Sequence, residues 1–60
     1  MNERVKKARM TKGWSRARLA REAGISDRTV ERAEKGLPIN ELSQSKIAQA
    51  LGMETGDLFE

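Results

Sequence analysis

Apolar residues recur along this chain at helical spacing rather than in strict alternation, and glycines at positions 13, 24, 36, 52 and 56 divide them into blocks. The first block, residues 2–12, is mostly charged. Val5 and Ala8, three apart, form its inward stripe, with Met10 a weaker member. The block predicts a helix over residues 2–12 that Gly13 closes with left-handed backbone. Ser15 then has the character of an N-cap, because its hydroxyl accepts from a free amide of the next turn, and Trp14 and Leu19 flank it as a hydrophobic staple. A second helix over Arg16–Ala23 follows. The same grammar repeats at once: Ile25 and Val30 bracket Ser26 and predict a third helix over Asp27–Lys35, with Gly36 as its stop.

Beyond Leu37 and Pro38 the pattern offers two starts for a fourth helix, one capped by Asn40 and one by Ser43 with Leu42 and Ile47 as its staple. Either version ends at Gly52 and turns Ile47, Ala48 and Leu51 inward. The tail from Met53 to Phe59 predicts a short final helix that folds Leu58 and Phe59 back on the core, although Gly56 weakens it.

Sixty residues predict one domain over 1–60. A chain this short buries only about 60% of the surface its unfolded form exposes, so the core is expected to be thin. The absence of Cys and His removes disulfides, Cys/His zinc sites and the usual nucleophile and base pairs, which argues against an enzyme and against a metal or other cofactor. No long uncharged run or basic-then-apolar leader is present, so the expected location is cytoplasmic, with no membrane partner. Trp14 and Phe59 are the only aromatic residues, too few for a stacking platform on single strands or RNA, so a duplex is the expected polyanion.

The net charge of +3 conceals an asymmetry. Residues 1–36 carry eleven Lys/Arg against five acids, or +6, whereas residues 37–60 carry Lys46 against Glu41, Glu54, Asp57 and Glu60, or −3. A basic half and an acidic half orient a molecule on DNA, although solvated helices rich in Lys and Glu share this composition.

The densest constellation lies over residues 16–35. Two helices crossing over a short turn need a small residue where they approach, a residue tolerating positive φ in the turn, and an apolar seal; Ala20, Gly24 and Val30 supply these in order. Leu19, Ala23, Ile25 and Ala33 furnish the inner wall. The stretch GWSRARLAREAGISDRTVERAEKG resembles the helix-turn-helix of the lambdoid phage repressor and Cro family, also called the XRE family. RVKKAR before it and KIAQALGM after it resemble that family's first and fourth helices.

The resemblance implies an all-α fold, a compact five-helix bundle whose third helix lies in the major groove while the second crosses the backbone above it. By position it implies Asp27, Arg28 and Arg32 as base-reading residues. Their chemistry agrees, since Arg bonds a guanine edge in bidentate fashion and Asp accepts from a cytosine amine, while a carboxylate at Asp27 equally suits the helix dipole. Ser15, Arg16, Lys35 and Arg9 are the implied phosphate-binding residues. Arg9 and Glu34 occupy positions that pair in this family, tying the first helix to the third. Three positions depart from the pattern. Ala33 replaces a larger apolar residue, with Trp14 as compensating volume; Arg18 stands where a capping-box Glu is common; and the loop Leu37–Asn40 lacks charge.

The functional expectation is a sequence-specific double-stranded DNA-binding transcription regulator, a repressor by family habit, that binds a near-palindromic operator as a homodimer formed mainly on DNA. The resemblance implies no small-molecule substrate. Two alternatives stay open at this point. One is an antitoxin-like protein-interaction module presenting Leu37, Ile39, Leu42 and Phe59; the other is a non-specific architectural DNA-binding protein.

Overall fold

Short polar side chains open the first four helices of this protein, and a left-handed glycine stands at or just beyond the end of each. The computed structural model describes residues 2–60, and these form five helices: α1 (Glu3–Thr11), α2 (Arg16–Ala23), α3 (Asp27–Lys35), α4 (Glu41–Leu51) and α5 (Thr55–Phe59). Bounds for α2 and α3 coincide with those the pattern predicts. Ser15 Oγ accepts from the Arg18 amide at 3.0 Å and Ser26 Oγ from the Thr29 amide at 3.2 Å. Each serine thereby satisfies one of the amides that a helix start leaves without an internal acceptor.

Helix α1 is one residue shorter at each end than the sequence reading has it, and the start of α4 is one of the two that reading offers. Asn2 is a cap rather than the first helical residue, its Oδ1 accepting from the Arg4 amide at 3.1 Å and the Val5 amide at 3.3 Å. Of the two candidate starts for α4, Asn40 wins, because its Oδ1 accepts from the Ser43 amide at 2.7 Å and the extra turn continues the helix back to Glu41. Met10 is 59% exposed and lies outside the inward stripe. Five positions after Val5 is well past one helical turn, so a residue there leaves the buried face.

The turn between α2 and α3 depends on Gly24. Its φ of +72° lets the Gly24 amide donate to Arg21 O at 3.3 Å and the Ile25 amide to Ala20 O at 2.9 Å, the paired bonds that end a helix in a Schellman motif. Open space surrounds the position where a Cβ would stand, so the cost of a side chain there is conformational rather than steric. Gly24→Ala is expected to lower stability by about 1–2 kcal/mol in urea denaturation, with the slope of the transition unchanged.

Each helix contributes one fully buried side chain to a single core: Val5, Leu19, Val30, Ile47 and Leu58. Ala20, Ala33, Ala48 and Leu51 complete the cluster. Trp14, Ile25, Ile39 and Phe59 pack against it while remaining partly exposed. α2 rests on α3 and α4, α4 on α5, and α1 on both α3 and α5. The start of α1 is fastened to two elements at once. The Asn2 amide donates to Glu34 O at 3.1 Å and Asn2 Nδ2 to Leu58 O at 2.7 Å, which links the start of α1 to the end of α3 and to α5. Among the described residues no helix is long and apolar enough to cross a membrane.

Candidate nucleic-acid interface

Helix α3 is divided lengthwise. Val30, Ala33 and Glu34 face inward and are buried, whereas Asp27, Arg28, Arg32 and Lys35 are exposed. Nine residues give a rod about 13 Å long, and its diameter with side chains, about 10–12 Å, matches the width of the B-DNA major groove. Ser26 anchors its first turn, with Ser26 Oγ and Thr29 Oγ1 2.9 Å apart, so Asp27 and Arg28 project from an ordered helix start.

The outward residues are not equally free. Asp27 and Arg28 make no ion pair among the described residues, and together with Arg16 and Glu31 they line one open polar depression. Arg32 turns away toward the following loop, its Nη2 donating to Pro38 O at 3.0 Å. Lys35 Nζ lies 3.4 Å from Glu31 Oε2 one turn back, an exposed pair that yields easily to a competing phosphate.

The phosphate candidates divide similarly. Ser15 Oγ accepts within the cap and keeps its own proton available as a donor at the start of α2. Arg16, also at that start, is half exposed and places Nε 3.2 Å from Glu34 Oε1. Arg9 has a structural task. Its Nε and Nη2 reach the two oxygens of Glu34 at 2.6 and 3.3 Å, and its Nη1 donates to Trp14 O at 2.7 Å. With 12% of its side chain exposed and all three nitrogens already engaged, Arg9 offers less to DNA than Arg16, which is 48% exposed.

Contacts of Arg16, Arg32 and Trp14 were not visible in the spacing of residues. Arg16 and Glu34 are eighteen positions apart on separate helices, and the bond from Arg32 to Pro38 O depends on the path of an irregular loop. The Trp14 ring carries Lys12 Nζ and the Arg18 guanidinium, each 5.1 Å from its centroid, and Arg18 also pairs with Glu22 at 2.9 Å. The residue in the usual capping-box position therefore covers an aromatic face instead. For Asn2 a signal did exist, since an Asn directly before an acidic first turn is a common helix start.

A family profile described as helix-turn-helix matches residues 5–58. The chain belongs to the XRE-type helix-turn-helix family. No curated protein and no solved structure matches it. The matched span begins in α1 and ends in α5, so it takes in all five helices of the bundle and not the α2–α3 pair alone. Family membership makes the chain a DNA-binding helix-turn-helix regulatory domain.

Proposed function

We propose that this helix-turn-helix domain is a sequence-specific transcription repressor. It binds a near-palindromic operator as a dimer, with α3 in the major groove of each half-site and the half-sites about one helical turn apart. The observation that carries the reading is the division of α3. Its inward face is spent on the core and on Glu34, and its outward face presents Asp27 and Arg28 exposed and without ion pairs among the described residues. Arg28 offers a guanine edge its fork of donors, and Asp27 accepts from a cytosine amine. Arg32 shares its Nη2 with Pro38 O, which makes it the secondary reader of the three. Ser15 and Arg16 at the start of α2, with Lys35 at the end of α3, hold the backbone on either side.

Leu37 and Leu42 are 45% and 65% exposed on and after the uncharged α3–α4 loop, and they are the side chains we assign to the second subunit. The setting for this activity is the cytoplasm, on nucleoid DNA.

Binding of variants to a selected operator and to random duplex tests the assignment. Arg28→Ala is expected to lose about 1–3 kcal/mol on the operator and much less on random DNA, so the ratio between the two contracts. Lys35→Ala is expected to weaken both alike and leave the ratio unchanged. An Arg28→Ala variant that keeps the wild-type ratio removes Arg28 from the reading.

A further inference from the structure

The Arg16 side chain divides its donors between two tasks. Nε donates to Glu34 Oε1 at 3.2 Å, while Nη1 and Nη2 have no hydrogen-bond partner among the described residues and the side chain is 48% exposed. Its acceptor is fixed. Glu34 is 3% exposed in its side chain and bound on both oxygens by Arg9, so α1 holds the carboxylate and the carboxylate holds Arg16. A guanidinium is planar and rigid, and anchoring it at Nε sets the direction of the two terminal amines. Arg16, at the start of α2, lines the depression it shares with Asp27, Arg28 and Glu31.

We infer that Glu34 is a positioning residue for DNA binding: it holds Arg16 by Nε so that the two terminal nitrogens form a preset two-pronged clamp on a backbone phosphate. Glu34 itself never reaches the DNA. The inference rests on the proposed DNA reading and adds to it the group that orders Arg16, a side chain otherwise costly to immobilise. Keeping the Nε bond lets the clamp form without moving Arg16 from its place in the free protein. A flexible lysine, with all its donors on one atom, cannot serve Glu34 and a phosphate in the same geometry.

Three measurements on the full chain decide the matter. The first compares Arg16→Lys with Arg16→Ala in binding to duplex DNA. Both are expected to weaken binding at least about tenfold, on operator and random sequence alike. An Arg16→Lys variant that binds as tightly as wild type overturns the inference, because charge alone then suffices. The second introduces Arg16→Lys into a Glu34→Gln background, where the lysine substitution is expected to cost less than about twofold, since Glu34 and Arg16 act as one unit. A full tenfold cost in that background contradicts the coupling. Should Glu34→Gln fail to fold, the first comparison and the third measurement stand without it.

The third follows the Arg16 Nε–H resonance by NMR in free protein and in complex. A signal protected from exchange in both states is expected. Its loss on binding overturns the inference, since Arg16 then leaves Glu34 to reach the phosphate. Failure of wild-type protein to bind any duplex defeats the DNA reading itself, and it is distinguished by the Nε–H signal persisting in the free protein.

Discussion

Replacing Glu34 with Ala is expected to cost this domain about 3–5 kcal/mol, the usual loss when one partner of a buried ion pair is removed and the other is left behind. The Glu34 carboxylate accepts from Arg9 at 2.6 and 3.3 Å and from Arg16 at 3.2 Å. After truncation, Arg16 returns to water at little cost because its side chain is half exposed. Arg9 cannot. It is 12% exposed and keeps only its bond to Trp14 O, so a guanidinium remains inside with most of its donors unmet. A domain of this length has total stability of about 3–9 kcal/mol, which leaves the variant marginal at best. Thermal unfolding followed by circular dichroism is expected to show the melting temperature lowered by more than about 10 °C. A melt within about 2 °C of wild type contradicts a structural role for the pair. Arg9→Met combined with Glu34→Leu is expected to recover much of the loss, because it removes both charges together.

Leu58→Ala is the second large effect, at about 2–5 kcal/mol, and it differs in where the damage falls. Helix α5 has five residues, too few to persist without tertiary contacts. Leu58 is its one fully buried side chain; Phe59 packs against the core only partly buried, and two polar ties are added, Asn2 Nδ2 to Leu58 O at 2.7 Å and Arg4 Nη1 to Asp57 O at 3.2 Å. Deleting the side chain leaves a cavity in the shared core and loosens α5 together with the start of α1 tied to it. Hydrogen exchange is expected to show the amides of residues 55–59 opening more readily than those of α2 and α3, which pack on each other and keep their own buried residues. Uniform loss of protection across all five helices, or no change in stability, contradicts this view of α5 as a separately docked piece.

Much of the architecture was legible in the sequence because its signals are local. A serine between two apolar residues, followed by helical periodicity and a glycine, states where a helix starts, which face it buries and where it stops, and Ser15 and Ser26 are both of this kind. Local signals also left the start of α4 open, since Asn40 and Ser43 each satisfy the rule for a cap; the bond from the Ser43 amide to Asn40 shows which one acts. The candidate site was legible only in part. Exposure of Asp27 and Arg28 follows from the period of α3, whereas the engagement of Arg16 with Glu34 and of Arg32 with Pro38 O depends on how separate segments meet in space. No residue spacing encodes such contacts. They change what each residue has free to offer: Arg9 is held between Glu34 and Trp14 O, whereas Arg16 keeps its terminal nitrogens without a partner among the described residues.

Selection from randomised duplex DNA, followed by binding of the winning site and a scrambled one at two salt concentrations, tests the central claim most directly. The expected result is an inverted repeat preferred over the scrambled duplex by about 10³-fold or more, with both affinities falling steeply as salt rises. A pool that stays random, with affinity that merely collapses in salt, contradicts sequence-specific recognition through α3.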